Sequence, residues 1–239
     1  MKAIVCGANG AMGQLILAAL GGDAYKVSLD GMNGVPKTFE ELGSVAADVI
    51  IDFSHHSAIA EVLSYAKANQ MAVVVGTTGH TEDEKALIFE AAKHIPVFYS
   101  GNMSLGIAVL CNLAKQAAAA FPDADIEILE VHHNRKVDAP SGTAKMLFEA
   151  VKEVRPNATA NCGRSGEGKR TKDEIGISAL RMGNVVGIHE VHICTPSQTL
   201  VLRHEAANRA MFADGAVAAA KFLVGKSAGH YNMTHFLEG

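Results

Sequence analysis

Cysteine is scarce in this sequence, and its few cysteines form no metal-binding or redox pattern. The four cysteines are scattered over 239 residues without a C-x-x-C pair. This spacing argues against a zinc knuckle or a disulfide scaffold and favours the reduced thiols of a cytosolic protein. We therefore expect no bound metal and no disulfide bond. The four positions are Cys6, Cys111, Cys162 and Cys194.

Long apolar runs and blocks of like charge are missing as well. No apolar stretch approaches the ~20 residues that a membrane-spanning helix needs, and a glycine-rich turn follows the N-terminus too early for a signal-peptide core. The formal net charge of −4 contains no long run of one sign, which argues against a general nucleic-acid or anionic-membrane binder. We expect a soluble cytoplasmic protein without a nucleic-acid or membrane partner.

The sequence does contain enough apolar material for a buried core. Hydrophobic residues make up 49% of the chain and charged residues 19%, and this balance excludes wholesale disorder. At roughly 150 residues per domain, the length lies between one domain and two.

The first hundred residues alternate between strand-like and helix-like segments. Helical patterns follow the first strand and also cover Ser57–Ala68 and Glu82–Lys93, the latter opening with a capping box at Thr81 and Glu84. Strands rich in Val and Ile, separated by helices, favour a parallel sheet covered on both faces. This pattern predicts an α/β, Rossmann-like domain. The strand candidates are Ala3–Cys6, Tyr25–Leu29, Val49–Phe53, Ala72–Val75 and Pro96–Tyr99.

The pattern changes after about Met103. Three strand-like runs follow one another without helices, which favours a mixed or antiparallel sheet in a separate α+β domain. The last long helix is apolar enough to pack back on the first domain, and polar, glycine-rich Arg155–Lys169 has the composition of a mobile surface loop. We predict a first domain from residues 1–103 and 210–239 and a second from residues 104–209. The predicted elements here are helices Leu105–Ala120, Thr143–Val154 and Phe212–Val224 and strands Asp125–His132, Ile175–Arg181, Val185–Cys194 and Leu200–Ala206.

A glycine-rich turn joins the first strand to the first helix. Its three glycines permit a tight turn, close approach of a pyrophosphate and close helix–strand packing, although the GxxGxxG spacing also fits an ordinary turn. Asp30 follows Gly13 by 17 residues, at a place where a carboxylate would accept hydrogen bonds from an adenosine ribose. A solvated turn aspartate is the alternative there. The turn consists of Gly7, Ala8, Asn9, Gly10, Ala11, Met12 and Gly13.

Two further turns follow strands of the predicted parallel sheet. Ligands of open parallel sheets bind beyond the carboxyl ends of the strands. The small and amide-bearing residues of both turns can approach a nicotinamide ribose and hydrogen-bond its carboxamide, and simple turn chemistry is the alternative. The turns are Gly76-Thr77-Thr78-Gly79 and Ser100-Gly101-Asn102-Met103.

The densest group of polar residues runs from Glu130 to Ala144. Its adjacent histidines, His132 and His133, lie at a strand end and point to opposite faces, which favours acid–base work over a shared metal. Loop histidines without a role are the alternative. The group also contains the ammonium of Lys136 and a helix start that can hold a carboxylate or simply form an N-cap. Together they point to a small acidic substrate. The helix start is Pro140-Ser141-Gly142-Thr143.

These residues carry a resemblance to a known family. Residues 127–144, with the pattern E-x-x-E-x-H-H-x-x-K-x-D-A-P-S-G-T-A, resemble the signature of the dihydrodipicolinate reductase (4-hydroxy-tetrahydrodipicolinate reductase) family. The resemblance covers essentially the whole chain. Further stretches resemble the family patterns G-A-x-G-R-M-G, D-F-[ST], G-T-T-G, N-[FM]-S-x-G and R-x-G-D-x-x-G-x-H. In that order they are Gly7–Gly13, Asp52–Ser54, Gly76–Gly79, Asn102–Gly106 and Arg181–His189.

The resemblance implies an N-terminal Rossmann-like dinucleotide-binding domain and an α+β substrate-binding and oligomerisation domain with a mixed sheet. It implies a homotetramer assembled through that second sheet, and it places His132 at the acid–base position and Lys136 at the proton-donor position. The substrate-binding positions that it implies are His133, Lys136, Ser141, Gly142 and Thr143. The cofactor-binding positions that it implies are Gly7, Ala8, Asn9, Gly10, Ala11, Met12, Asp30, Gly76, Thr77, Thr78, Ser100, Gly101, Asn102 and Met103.

The implied reaction is reduction of 4-hydroxy-tetrahydrodipicolinate or dihydrodipicolinate, a small dicarboxylate, to tetrahydrodipicolinate. Hydride comes from NADH or NADPH, and the reaction belongs to lysine biosynthesis through diaminopimelate. Another two-domain amino-acid dehydrogenase and a dinucleotide-sensing regulator without turnover are the alternatives.

Four positions depart from the family pattern, and three of them bear on cofactor choice. Ala11 replaces the usual arginine, and no arginine follows Asp30. An acidic residue near the adenosine ribose favours NAD, whereas NADP sites usually provide a cation. We expect NADH to be used at least as well as NADPH, with His55 and Lys37 as the side chains able to alter that preference. The other two departures are His55-His56 and Asn184.

Overall fold

In a computed structural model of the chain, residues 1–22 and 24–239 are described. Within them the backbone divides into two compact units. The first contains Met1–Leu105 together with Arg209–Gly239, and the second contains Gly106–Asn208. None of the helices in the described residues is long and apolar enough to cross a membrane.

The first unit is built on a six-stranded parallel sheet. Its strands, numbered along the whole chain, are β1 (Ala3–Cys6), β2 (Ala24–Val27), β3 (Val49–Asp52), β4 (Ala72–Val75), β5 (Pro96–Tyr99) and β11 (Gly229–Tyr231). They lie in the order β11-β5-β4-β3-β1-β2, and every neighbouring pair is parallel. The chain passes from β1 to β2 on one side and then to β3 on the other side, so a crevice opens at the carboxyl end of β1.

Helices cover both faces of this sheet because each strand connection crosses over it. The helices are α1 (Ala11–Ala19), α2 (Phe39–Leu42), α3 (Ile59–Ala68), α4 (Glu82–Ala91), α7 (Ala210–Leu223) and α8 (Met233–Glu238), with 3-10 turns at Met32–Gly34 and His56–Ala58. α3 packs beside α4, while α7 contacts α1, β3, β4 and β5. The predicted last long helix therefore packs on the first sheet.

The second unit contains a mixed five-stranded sheet. Its elements are α5 (Leu105–Ala120), β6 (Asp125–His132), α6 (Gly142–Lys152), β7 (Thr159–Cys162), β8 (Glu174–Arg181), β9 (Gly187–Cys194) and β10 (Thr199–Ala206). The order is β10-β9-β6-β8-β7, with antiparallel pairs from β10 to β6 and parallel pairs from β6 to β7. This architecture confirms the predicted fold class, an α/β Rossmann-like part combined with an α+β part.

The core of the second unit lies on one face of this sheet. Ile126 and Ile128 of β6 are buried in one cluster with Leu147 of α6 and Val191 of β9. Because side chains alternate along a strand, the two residues after Ile128 on that face are Glu130 and His132. The apolar row therefore ends in two polar side chains.

Several predicted bounds differ from the structure by one to two residues, among them those of α3, α4, α6, α7 and β9. Three further departures have local reasons. β2 ends at Val27 rather than Leu29, because Ser28 N–H donates to Pro36 O at 2.9 Å and the chain leaves the sheet there. Residues 155–169 are not all loop, since β7 pairs with β8 although β7 itself is exposed and polar. The short β11 and α8 were not predicted. The three half-buried residues of β11 and the six residues of α8 are too few to show a hydrophobic periodicity.

Candidate active site

The glycine-rich turn after β1 has the close contacts that require glycine. Gly7 has φ of +75°, and a Cβ on Gly13 would lie 2.1 Å from the carbonyl oxygen of Gly7. The N–H groups of Gly7 and Ala8 donate to Val27 O at 2.9 and 3.2 Å, which fixes the turn against β2. α1 begins at Ala11, so the amides of its first turn lack intrahelical acceptors and point out of the helix end.

Asp30 lies beyond β2 and is held by the same turn. Its Oδ1 accepts hydrogen bonds from Asn9 Nδ2 at 2.5 Å and from Met32 N–H at 3.0 Å. These bonds, the one from the Met32 backbone foremost, lower the pKa of the Asp30 carboxyl. The side chain of Lys37 lies over Gly31, the residue after Asp30. Its Cε is 2.4 Å from the position that a Cβ of Gly31 would occupy. A carboxylate and an ammonium stem thus occupy the same end of the crevice.

A cavity of about 360 Å³ lies at the carboxyl ends of the central strands. One residue of the glycine-rich turn and most residues of the two predicted nicotinamide turns line it. Phe53, Ser54, Arg209 and Phe212 also line it, and sequence reasoning gave these four no role. The predicted residues that line it are Met12, Gly76, Thr77, Thr78, Gly101, Asn102 and Met103.

The turns around this cavity are fixed by a buried carboxylate. Asp52, at the end of β3, accepts from Ser54 Oγ at 2.5 Å and from Thr77 Oγ1 at 2.7 Å. Burial raises the pKa of Asp52 despite these hydrogen bonds. The hydroxyl of Thr77 is therefore engaged by the protein, and Ser100 Oγ likewise donates to Asn102 O at 2.7 Å. Asp52 was not predicted, because the contact depends on β3 and β4 being neighbours.

In the second unit, the end of β6 holds a buried carboxylate and a histidine on one face. The Glu130 side chain is fully buried, and its Oε2 lies 2.5 Å from Nδ1 of His132. Arg181, the β8 partner of His132, donates Nη1 to Oε2 and Nη2 to Oε1, both at 2.8 Å. Burial works to raise the pKa of Glu130, but hydrogen bonds from Arg181, His132 and the Ser141 backbone bring that pKa below its usual value.

The loop after β6 carries the predicted lysine. Lys136 Nζ lies 2.8 Å from Oδ1 of Asp138, and this contact lowers the pKa of the aspartate. Arg181 Nη2 also donates to the backbone oxygen of Asp138 at 2.7 Å. The guanidinium that binds Glu130 therefore also fixes the loop that carries Lys136.

The start of α6 is tied to the same cluster. Ser141 is the N-cap: its Oγ accepts from Ala144 N–H at 3.2 Å, and its own N–H donates to Glu130 Oε1 at 2.9 Å. Ser141 Oγ also lies 3.1 Å from Nε2 of His189. Burial, and then the charge of His132, lowers the pKa of His189 to about 4. Gly142 and Thr143 occupy the first two helical positions, where amides point out of the helix end.

A glycine leaves space beside the outer nitrogen of His132. A Cβ on Gly187, at the start of β9, would lie 3.1 Å from His132 Nε2 and 3.6 Å from His189 Cε1. Any side chain at this position would crowd the imidazole edge opposite Glu130. Nε2 is the ring nitrogen that Glu130 does not contact.

The structure groups the predicted residues by unit. Those assigned to the cofactor lie in the first unit, and half of them line the 360 Å³ cavity. The ones that do not line it are Gly7, Ala8, Asn9, Gly10, Ala11, Asp30 and Ser100. Those assigned to the substrate lie at the end of β6, in the loop after it and at the start of α6. Sequence reasoning gave no role to Glu130, Arg181 or His189. The E-x-H spacing on a strand was the available signal for Glu130, because residues two apart share a face. Among the described residues, no group of three or more His, Cys, Asp and Glu side chains is arranged to hold a metal ion.

These features define a class of protein before any comparison is made. A Rossmann-like unit with a dinucleotide-type turn, and an α+β unit with a histidine–carboxylate pair and a nearby ammonium, are the parts of a two-domain, nicotinamide-dependent oxidoreductase. Family models described as dihydrodipicolinate reductase match the chain over both parts, the N-terminal model over residues 1–103 and the C-terminal model over residues 106–237. The chain belongs to the dihydrodipicolinate reductase family, as the sequence predicted.

Individual relatives agree with this assignment along the full chain. The 4-hydroxy-tetrahydrodipicolinate reductase of Alkaliphilus metalliredigens is 42% identical over 239 residues, with 99% of each chain covered. That of Caldanaerobacter subterraneus is 42% identical over 242 residues, covering 98% of this chain and 96% of the relative. A solved dipicolinate-bound dihydrodipicolinate reductase from Paenisporosarcina sp. TG-14 shares the fold, with a TM-score of 0.81, 24% identity and 97% of each chain covered.

Proposed function

We propose that this protein reduces 4-hydroxy-tetrahydrodipicolinate, or the dihydrodipicolinate formed from it, to tetrahydrodipicolinate in lysine biosynthesis through diaminopimelate. The observation that carries the proposal is the cluster at the end of β6. His132 is paired with buried Glu130, and Lys136 and the N-terminus of α6 adjoin that strand end. An acid, an ammonium and an anion-binding helix end are what reduction of an anionic imine requires.

The residues of the first unit fit a nicotinamide dinucleotide. A Cβ at Gly7 or Gly13 would strike backbone atoms within 2.3 Å, so only glycine permits the tight turn that leads into α1. The first amides of α1 would then bind a pyrophosphate. The 360 Å³ cavity would receive the nicotinamide end between Met12, Thr78 and Asn102. When bound, the reduced cofactor supplies a hydride to the substrate.

The second unit supplies charge and protons. The substrate is a dianion, so the ammonium of Lys136 and the amides of Gly142 and Thr143 would bind a carboxylate. Lys136 is held by Asp138, and a substrate carboxylate would take the place of that aspartate. His132, Lys136 or a water molecule held by them would supply the proton that completes reduction. His133 and Ser141 would be further substrate-binding residues.

Asp30 favours NADH at the adenosine end. Its carboxylate is fixed by Asn9 and Met32, and a negative charge beside a 2′-phosphate is repulsive. Lys37, which crosses Gly31, is the one cation near this position that the contacts show, and it offsets part of the repulsion. We expect kcat/KM with NADH to be at least as high as with NADPH near pH 7.5. A clear NADPH preference there would contradict the role of Asp30, and a preference confined to pH 6 would implicate protonated His55.

The face of the second sheet opposite its helices would form the homotetramer. Leu180 of β8 and Val201 of β10 expose 42% and 46% of their surface on this face. Sedimentation of the purified chain is expected to give a tetramer, and Val201→Lys to give smaller species, because a charge would then be buried. A wild-type monomer would contradict the assignment. We further propose a cytoplasmic location, in keeping with its free cysteines.

The reaction is tested with purified protein and substrate made by a coupled upstream synthase. Loss of reduced nicotinamide is followed with NADH and with NADPH, and amino and keto acids serve as control substrates. Oxidation that depends on the synthase product is the expected result. Oxidation driven only by an amino acid would indicate an amino-acid dehydrogenase, and dinucleotide binding without turnover would indicate a regulator.

A further inference from the structure

The buried carboxylate behind His132 has more hydrogen-bond donors than a structural ion pair needs. Glu130 accepts from both terminal nitrogens of Arg181, from Ser141 N–H and from His132 Nδ1. The donors come from β8, from the start of α6 and from β6 itself. Three separate elements therefore converge on one carboxylate, whose side chain has no exposed surface.

The hydrogen bonds determine which nitrogen of His132 carries a proton. A carboxylate with a bidentate arginine and a lowered pKa is ionised, and an ionised carboxylate can only accept. His132 Nδ1 must then be the donor across the 2.5 Å contact. A neutral imidazole has one N–H, so Nε2 holds a lone pair. A second proton would sit on Nε2, where the missing side chain of Gly187 leaves room.

We propose that Glu130 is a positioning residue that holds the Nδ1–H form of His132 and directs Nε2 to the substrate. The proposal rests on the proposed function for the identity of that substrate. Arg181 is the counter-ion of Glu130, because without Arg181 an unpaired carboxylate would be buried.

The other charged groups near His132 do not replace Glu130. His189 of β9 packs edge-on against His132, with ring centres 5.1 Å apart, and burial lowers the pKa of His189 so that it is neutral near pH 7. His204 of β10 faces His189 and also has a lowered pKa through burial. Asp138 on the following loop is paired with Lys136. Within the described contacts, Glu130 is the carboxylate that touches the His132 ring.

The first test uses the wild-type protein and needs no activity. Nitrogen-15 NMR of histidine-labelled protein distinguishes the two tautomers, and the His132 signals are assigned by their loss in His132→Gln. The expected result is a protonated Nδ1 in the neutral ring. A neutral ring protonated on Nε2 would overturn the proposal whether or not the reaction is the one proposed. This measurement also stands if the variants below fail to fold.

The second test replaces the carboxylate with an amide. Glu130→Gln keeps the shape but can donate to Nδ1 and permits the wrong tautomer, so kcat should fall by about 10²-fold or more with KM changed less than about threefold. Glu130→Asp retains the charge and should recover at least about tenfold of the kcat that Glu130→Gln loses.

A matched control exists on the opposite face of the same sheet. Glu190 of β9 also accepts from a histidine and an arginine, His192 and Arg203. Glu190→Gln, compared at the same sedimentation behaviour as the wild type because Glu190 lies on the proposed tetramer face, should leave kcat within about twofold and the His132 tautomer unchanged. A folded Glu130→Gln with normal kcat and an unchanged His132 tautomer would refute positioning, and so would equal losses in both variants. An inactive wild type with protonated Nδ1 would refute only the proposed function.

Discussion

Among single residues, His132 and Lys136 are the two protonatable side chains that we propose for proton transfer. We predict that His132→Gln and Lys136→Ala each lower kcat by at least about 10²-fold, the usual contribution of general acid–base catalysis. Dinucleotide affinity should hardly change, because the predicted cofactor residues lie in the other unit. Steady-state kinetics and NADH titration by fluorescence check both statements. Near-normal turnover in both variants would show that the assigned roles are wrong.

Gly187 tests access to the imidazole edge. Gly187→Ala places a methyl group 3.1 Å from His132 Nε2, so kcat/KM should fall about tenfold through misplacement of the ring or the substrate. Gly168→Ala is the control, because a Cβ there meets nothing within 4 Å. Both variants should fold normally by circular dichroism. Equal kinetics for the two would mean that Nε2 is not the edge that the substrate approaches.

His189 should make stability depend on pH. Its pKa in the folded protein is about 4, below the usual 6.5, so between these values the unfolded chain binds the extra proton. The contribution of His189 to the free energy of unfolding is therefore fully present above pH 6.5. The free energy of unfolding falls by up to about 3 kcal/mol as the pH drops from 6.5 toward 4. Urea unfolding across this range measures the slope, and His189→Gln should flatten it. An unchanged slope in the variant would contradict the assignment.

At the scale of elements, two helix caps of the same kind should behave differently. Ser141 caps α6 and Thr81 caps α4, each through a side-chain oxygen that accepts an N–H at 3.2 Å. Ser141→Ala and Thr81→Ala should each cost about 1 kcal/mol of stability in urea unfolding. Only Ser141→Ala should also lower kcat/KM, by about tenfold, because α6 begins at the proposed substrate site. Equal effects of the two variants on kcat/KM would mean that the start of α6 does not contribute to the reaction.

Continuous burial explains which elements could be predicted from the sequence. β1, β4, β5, α5 and β6 have the predicted bounds, since each carries its own apolar period. β7 is mostly exposed and exists through its pairing with β8. The four residues of β7 show no hydrophobic periodicity from which a strand could be predicted.

The site shows the same limit. The glycine turn and the histidine block were readable because their chemistry is local in the chain. The bonds from Arg181 to Glu130 and from Thr77 to Asp52 join residues 51 and 25 positions apart. They depend on which strands lie side by side, and spacing along one strand cannot supply that.

In the molecule as a whole, the two units have different roles in the proposed reaction. The first has the turn, the crevice and the cavity that we assign to a dinucleotide, and the second has the charged groups that we assign to a dianionic substrate. The chain is covered almost end to end by reductases of one name, so both parts belong to the same enzyme. We propose that dihydrodipicolinate receives a hydride from a cofactor bound by the first unit and a proton from residues of the second.

The most direct measurement couples cofactor oxidation to product formation in one assay. The synthase product is supplied with reduced nicotinamide, oxidation is followed by absorbance, and tetrahydrodipicolinate is quantified by mass spectrometry. The account predicts equal amounts of oxidised cofactor and tetrahydrodipicolinate with the wild-type protein, and at least about 10²-fold slower formation of both with His132→Gln. Cofactor oxidation without tetrahydrodipicolinate, or equal rates in the two proteins, would contradict it.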